Sequence, residues 1–170
     1  KSSKGEIIVC LSGHCIPKNS LWLKKLIANL EDDSVAGVYG RQEPMSFSSP
    51  FDKRDLMITF GLDKKIQYKD YFFHNANSAF KKEIWKKFPF NEEIHNIEDR
   101  VWAKEVINSD YKLIYERDAS VYHYHGIHHN LNLERAQNIV KIMEGIEVEE
   151  NKKIKKLENL KIASIVPFKG

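Results

Sequence analysis

Apolar positions in this 170-residue chain fall into short runs separated by stretches with helical spacing. Residues 6–11 form an apolar run that stops at Ser12-Gly13, which predicts a buried strand with a loop at its carboxyl end. After Pro17, apolar residues recur at helical spacing, which predicts a helix capped by Asn19 or Ser20 and covering a sheet: Leu23, Leu26, Ile27 and Leu30. Residues 35–40 read as the next strand. This alternation predicts an α/β layered domain with parallel pairing.

The second half of the chain continues this pattern with more loops. A loop follows Pro44, and the segments after it are predicted as a helix (51–60), a strand (76–80), a helix closed by Phe88-Pro89 (82–87), an acidic helix (98–109) and two strands (112–116 and 120–123). Residues 131–156 have the spacing of a long peripheral helix, and 162–166 are a final apolar run that predicts a new strand.

Composition narrows the class of protein. With 42% hydrophobic residues the chain can bury a core, and one domain is the default. The 27 Lys+Arg and 24 Asp+Glu residues leave a net charge of only +3, so no nucleic-acid partner is indicated. Cys10 and Cys15 lack Cys-x-x-Cys spacing, which favours a reducing compartment, and we expect the cytoplasm. No apolar run reaches membrane-spanning length, and the start without Met or a signal region indicates a fragment.

The acidic pair Glu98-Asp99 opens the predicted helix and is the first candidate for chemistry. Carboxylates at a helix start can simply cap it, because they accept free backbone N–H groups there. The surroundings favour catalysis: the preceding loop holds His95 and Asn96, and Trp102 could form a wall for a sugar face. We therefore interpret Asp99 as a base for an acceptor hydroxyl, with Glu98 supporting it.

Histidines make up the second candidate group. His14 lies just beyond the first predicted strand, where α/β sheets bind ligands, and its imidazole could hold a divalent metal or simply hydrogen-bond within a loop. His123 and His125 alternate in a strand and so face the same side, which suits two metal ligands or one ligand and a phosphate contact. His128 and His129 read as incidental surface residues.

Polar residues near predicted strand ends supply candidates for substrate binding. Asn75, Asn77 and Ser78 could hydrogen-bond sugar hydroxyls, although Asn and Ser also mark ordinary turns. Arg41 could pair with a phosphate or with an acceptor carboxylate, or be a solvated side chain. Trp22 and Trp85 lie on predicted helices and are interpreted as core or interface anchors.

An ordered series of segments resembles glycosyltransferase family 2 and spans roughly residues 4 to 129. The segments are 8–17, Trp22-Leu23, 35–42, 76–80, Trp85, 88–92, 98–103 and 121–125. The resemblance implies a GT-A fold, α/β with a mixed sheet and flanking helices, and inverting transfer from a nucleotide-sugar donor to a glycan acceptor with Mn²⁺ or Mg²⁺. Asp99 matches the family's Glu-Asp motif and would be the base.

Two departures from the family pattern qualify what the resemblance implies. Ser12-Gly13-His14 stands where the family has Asp-x-Asp, so His14 would replace the metal-binding carboxylate, with His123 or His125 as a further ligand. The family's nucleotide-binding front half is missing, so the chain reads as the acceptor-side part of a longer enzyme. The resemblance is compatible with peripheral membrane association.

The predicted organisation is a partial transferase domain at 1–130, a helical extension at 131–160 and the start of another domain at 161–170. This last segment resembles the opening of sugar nucleotidyltransferases that activate acidic eight- or nine-carbon sugars, so the parent would couple sugar activation to transfer in surface polysaccharide synthesis. Two rival hypotheses are a non-catalytic glycan- or partner-binding module and a histidine-rich metal protein that retains Zn²⁺.

Overall fold

The computed structural model describes residues 3–94, 96–124, 137, 139–142 and 144–145. Its elements in chain order are β1 (Ile7–Leu11), β2 (Cys15–Pro17), α1 (Trp22–Ala28), a 3-10 helix (Asn29–Glu31), β3 (Val35–Pro44), α2 (Pro50–Thr59), β4 (Lys65–Gln67), β5 (Asn77–Lys81), α3 (Lys82–Lys87), α4 (Glu98–Asn108) and β6 (Lys112–His123). All of these elements belong to one compact unit, Lys1–Asn130. In the second unit, Leu131–Gly170, the described residues are helical.

Six strands form one mixed sheet in the order β1-β5-β3-β6-β2, with β4 also paired to β6. The mixed sheet with flanking helices confirms the predicted fold class. The parallel pair is β3 with β6, while β5 runs antiparallel between β1 and β3. The expected direct parallel pairing across α1 is therefore replaced by an inserted strand from later in the chain.

Helices cover both faces of the sheet. On one face, α2, α3 and α4 bury an aromatic-rich cluster that includes Tyr39, Phe80 and Tyr115 of the sheet. On the opposite face, α1 and the 3-10 helix bury an aliphatic cluster that includes Val38, Ala79 and Ile114. Neighbouring strand residues belong to different clusters because side chains alternate between the faces of a sheet.

Some predicted elements differ from the structure. The two predicted strands at 112–116 and 120–123 form the single strand β6, and the three-residue strands β2 and β4 were not predicted. Register shifts between Val35 and Gly37 and between Gly40 and Gln42 mark irregular places in the pairing of β3 with β6. The predicted strand at 162–166, and most of the predicted helix at 131–156, lie outside the described residues.

Candidate functional site

One edge of the sheet gathers most of the predicted site residues. The carboxyl ends of β1, β3 and β6 meet there with the amino ends of β5 and β2: Leu11 pairs with Asn77, and His123 pairs with both Pro44 and Cys15. The loop after β1, the segment before β5 and the end of β6 are consequently neighbours. Edges formed by the carboxyl ends of strands are the usual ligand positions in α/β proteins.

Asp99 lies in the first turn of α4 and is only 8% exposed. Its Oδ2 accepts a hydrogen bond of 2.9 Å from the backbone N–H of Asn75, and its Oδ1 accepts one of 2.8 Å from that of Arg100. Burial and the neighbouring Glu98 charge raise the pKa of Asp99 to about 6, against the opposing effect of these N–H donors and of the Arg100 charge. Such a carboxylate is mostly ionised at neutral pH yet basic enough to take a proton.

The loop after β1 connects to Asp99 through two backbone hydrogen bonds. Ser12 N–H donates to Ala76 O at 3.0 Å. The backbone N–H of Asn75, the residue before Ala76, donates to the Asp99 carboxylate. The Asn75-Ala76 segment therefore bridges the Asp99 carboxylate and the loop that carries His14. A single cavity shared by Asp99 and His14 stays a prediction.

His14 and His123 lie side by side, with ring centroids 4.9 Å apart. The Ser12 hydroxyl is 2.9 Å from His14 Nε2, and Tyr124 N–H donates to His14 O, which holds the loop against the end of β6. His125 lies outside the described residues. Within residues 3–94 and 96–124, no three His, Cys, Asp or Glu side chains form a group able to hold a metal.

Two imidazoles alone do not fit Mn²⁺ or Mg²⁺, which are bound mainly by carboxylate, carbonyl and water oxygens. His14 and His123 are close enough to be parts of one site, yet they supply an incomplete set of donors. Of the three predicted metal ligands, His14 and His123 are the two within the described residues.

Asn75 and Ser78 form a small network beside Asp99. The Ser78 hydroxyl donates to Asn75 Oδ1 at 3.1 Å, and it also hydrogen-bonds the Cys10 thiol. Ser78 is fully buried, whereas Asn75 is partly exposed. Asn75 is therefore the more exposed of these two residues, and the Ser78 hydroxyl holds its side-chain oxygen. A sugar contact by Asn75 stays a prediction.

Asn77 serves the protein interior. Its Oδ1 accepts from the Trp22 indole at 2.9 Å, while its Nδ2 donates to Arg41 O at 3.1 Å and to Ala119 O at 2.8 Å. The residue is fully buried. The buried amide joins α1, β3, β5 and β6, so it is not available for the predicted sugar contact.

Trp102 also differs from its predicted role. It is 1% exposed and packs against three phenylalanines of the core, Phe73, Phe80 and Phe90. The buried side of α4 carries it inward together with Asp99. Its ring faces are therefore covered by protein and are not a wall for a sugar.

Arg41 lies near the carboxyl end of β3 with its side chain 24% exposed. One guanidinium nitrogen is 3.8 Å from a Glu43 carboxylate oxygen, and Nε is buried with no hydrogen-bond partner among the described residues. Glu43 is itself held by Lys18 and by the Ser120 hydroxyl. An anion contact by Arg41 stays a prediction.

Two residues at this edge were not predicted as site residues: Gln42 and His74. Gln42 Nε2 is 3.0 Å from His74 Nδ1, which the backbone N–H of Ala76 also approaches at 3.4 Å. Because that backbone group can only donate, Nδ1 is an acceptor, so a neutral His74 carries its proton on Nε2. The available signal was the position of His74 next to Asn75, three residues before β5.

Comparisons with known proteins find relatives that are named as rhamnosyltransferases. The chain is 25% identical over 134 residues to the O-antigen chain rhamnosyltransferase WbaN of Salmonella anatum, covering 73% of this chain and 42% of that protein. It is 24% identical over 135 residues to the O-antigen chain rhamnosyltransferase RfbN of Salmonella typhimurium, covering 74% and 43%. The chain thus spans about two-fifths of the length of these curated relatives. No protein-family model matches the chain.

A solved structure shares the fold. The mannosyltransferase PcManGT from Pyrobaculum calidifontis, determined in complex with GDP-Man and Mn²⁺, matches with a TM-score of 0.50 and 18% identity over 71% of this chain and 32% of that one. The chain therefore has a glycosyltransferase-like fold. None of the described helices combines the length and apolar character needed to cross a membrane.

The raised pKa of Asp99 predicts a stability effect that is independent of activity. A folded-state pKa near 6, against an ordinary value of 3.8, stabilises the protein below pH 4, and this contribution is lost as pH rises through 6. We expect the free energy of unfolding of Asp99→Asn to rise relative to that of the wild type by roughly 2 kcal/mol between pH 4 and pH 8. Urea unfolding of both proteins at the two pH values measures this change, and an unchanged difference would contradict the buried ionised carboxylate.

Proposed function

We propose that this chain is the acceptor-side part of an inverting GT-A glycosyltransferase that builds surface polysaccharide from a nucleotide-sugar donor. The observation that carries the proposal is the buried Asp99 carboxylate, with its pKa raised to about 6, at the carboxyl edge of a glycosyltransferase-like sheet. The names of the relatives favour a six-carbon sugar as the transferred group. The glycan acceptor supplies the attacking hydroxyl.

In the proposed reaction, Asp99 removes the proton from the acceptor hydroxyl as its oxygen attacks the anomeric carbon of the donor. A bond forms between the acceptor oxygen and the anomeric carbon. The bond between the anomeric carbon and the diphosphate oxygen breaks, and its electron pair leaves with the nucleoside diphosphate. The Asn75 N–H holds Asp99 Oδ2 in place, and Glu98 keeps the carboxylate basic through its charge. Arg41 would bind a phosphate or an acceptor carboxylate.

The domain organisation belongs to this proposal as well. Residues 1–130 would form the acceptor side of the transferase, 131–160 a helical extension, and 161–170 the start of a following domain. The donor pocket would be completed by further polypeptide, in keeping with the two-fifths of the relatives' length that the chain spans.

A non-catalytic glycan-binding module is the second candidate, and one observation favours it. The segment expected to carry metal-binding carboxylates is Ser12-Gly13-His14, where the Ser12 hydroxyl is bonded to the imidazole of His14. A module that has lost donor binding would retain affinity for the glycan alone.

Calorimetry on the full gene product that contains this chain separates the two candidates. We expect GDP-mannose or nucleotide-activated rhamnose to bind with a Kd in the micromolar to millimolar range typical of enzyme substrates. Repeating the titration with Mn²⁺, and with the His14→Ala variant, tests whether His14 holds a metal. If it does, Mn²⁺ should strengthen donor binding in the wild type, and His14→Ala should remove that gain. Binding of a glycan acceptor without any donor would favour the module.

A further inference from the structure

Two cations of α4 lie over aromatic rings of the segment before β5. Arg100 is in the first turn of α4 and Lys104 is one turn later, and both side chains are half-buried. The guanidinium carbon of Arg100 is 4.9 Å from the centroid of the Phe72 ring. The Lys104 ammonium is 5.8 Å from the centroid of the Tyr71 ring. The two side chains therefore bring positive charge to one side of α4.

Helix stability does not explain this pair of cations. Like charges four residues apart on a helix repel each other, and a cation in the first turn opposes the helix dipole. A direct ion pair with an acidic neighbour would offset these costs. Asp99 does not provide one, because its two oxygens accept from the backbone N–H groups of Asn75 and of Arg100 itself.

The Arg100 guanidinium has donors to spare. Among the described residues it forms no ion pair and no hydrogen bond, and its contact is with the Phe72 ring. A guanidinium carries five N–H donors in one plane, an arrangement that matches the paired oxygens of a carboxylate or a phosphate. Arg41, at the end of β3, differs in this respect, because the Glu43 carboxylate is 3.8 Å from one of its nitrogens.

Arg100 lies beside the carboxylate that the proposed function assigns as the base. Its backbone N–H donates to Asp99 Oδ1 at 2.8 Å. Burial raises the pKa of Asp99, and the positive charge of Arg100 opposes that rise, so the two side chains influence each other directly. The Phe72 ring is stacked on His74 with centroids 6.4 Å apart, and His74 directly precedes Asn75. An acceptor whose hydroxyl reaches Asp99 is therefore within reach of Arg100.

The charges around Asp99 bear on which acceptors can approach it. Glu98 and Asp99 together repel an anionic substrate, and such a substrate gains access to the base only if nearby cations offset that repulsion. Arg100 and Lys104 supply two positive charges on the same helix. A neutral acceptor needs no such compensation, so the cations favour an acceptor that carries negative charge.

We propose that Arg100, supported by Lys104, is a specificity-determining residue that binds an anionic group of the acceptor, a carboxylate or a phosphate, next to the attacking hydroxyl. The inference rests on the proposed function for the role of Asp99, and it extends that function to the chemical class of the acceptor. The Phe72 ring holds the guanidinium in place, and the N–H donors bind the anion.

Matched acceptors test the proposal in the full gene product. A glycan ending in a uronic acid is compared with the same glycan ending in the corresponding neutral hexose. A neutral glycan on a lipid diphosphate is compared with the same glycan on an uncharged alkyl chain. We expect KM for the anionic member of one pair to be at least about 10-fold lower than for its neutral counterpart, as for a charge-assisted hydrogen bond. The first pair identifies a carboxylate and the second a phosphate. Equal KM values within both pairs would overturn the proposal.

Substitutions assign the preference to the residue. Arg100→Gln removes the charge and keeps the backbone N–H that holds Asp99, so it should abolish the preference while kcat for the neutral acceptor stays within about threefold. Arg100→Lys should retain part of the preference. The control Lys87→Gln removes a cation 5.1 Å from the Phe88 ring centroid at the end of α3 and should leave the preference unchanged. Assays at pH 8 keep Asp99, with its pKa of about 6, ionised in every variant. A preference that survives Arg100→Gln would assign it to another residue and refute the proposal.

Acceptor binding without a donor separates this inference from the proposed function. Calorimetry with the same four acceptors measures the charge preference in the absence of turnover. Charge-selective binding that is lost in Arg100→Gln, together with no transfer to any acceptor, would refute the proposed function and leave the anion site intact. Transfer with no charge preference would refute the anion site and leave the proposed function intact.

Discussion

Replacing Asp99 by asparagine is expected to lower kcat/KM for sugar transfer by at least about 100-fold, because general base catalysis contributes about 10² to 10⁴. Asparagine has nearly the same shape and keeps one acceptor oxygen for the N–H of Asn75, but it cannot take a proton from the acceptor hydroxyl. The measurement is transfer from a nucleotide-activated hexose to a glycan acceptor by the full gene product, at donor and acceptor concentrations that separate kcat from KM.

The matched control for this loss is Glu105→Gln. Glu105 is an exposed residue of the same helix, so the variant removes an equal charge without touching the edge of the sheet. Wild-type kcat/KM should rise with pH through about 6 and then level off, because the base must be ionised, and Asp99→Asn should lack this rise. Urea unfolding of Asp99→Asn at the assay pH checks that unfolding is not the explanation for its inactivity. Turnover within threefold of wild type would remove Asp99 from the mechanism.

The elements predicted most closely are those whose sequence signal is local. Helix α4 was expected at 98–109 and spans Glu98–Asn108, because an acidic first turn and apolar helical spacing coincide there. Strand order was beyond such signals, since β5 inserts between β1 and β3 through contacts distant in sequence. β4 has only three residues, two of them polar, and gives no strand pattern of its own.

The site residues, like the elements, were predicted well where neighbouring sequence determines their position and poorly where contacts distant in sequence determine it. Placement of His14, His123 and Asn75 at one sheet edge follows from strand ends that can be located in the sequence. The interior positions of Asn77 and Trp102 depend on which neighbours surround them, and residue type alone does not reveal this. An asparagine that joins four elements and one that contacts a sugar have identical side chains, so only the fold distinguishes them.

Gly40→Ala is expected to destabilise the protein by about 3 kcal/mol or more, a cost at the upper end for overpacking. A Cβ at position 40 would lie 2.1 Å from Ala119 O and 2.3 Å from Asn77 Nδ2. Ala119 O is a backbone atom of β6, and the Asn77 amide is held by its bonds to β3, β6 and Trp22. Neither group can move without breaking the contacts that align β5 with the sheet edge. Urea unfolding at constant pH measures the loss.

Gly61→Ala is the control for Gly40→Ala, because a Cβ at position 61 meets nothing within 4 Å, so its effect should stay within about 0.5 kcal/mol. The double variant Gly40→Ala with Asn77→Ala removes one of the two clashing groups but leaves the Ala119 carbonyl. It should therefore not recover the lost stability. A Gly40→Ala protein within 1 kcal/mol of wild type would show that β3 and β6 can separate locally. In that case the rigid placement of Arg41 and of the segment before β5, on which the proposed site depends, would lose its structural basis.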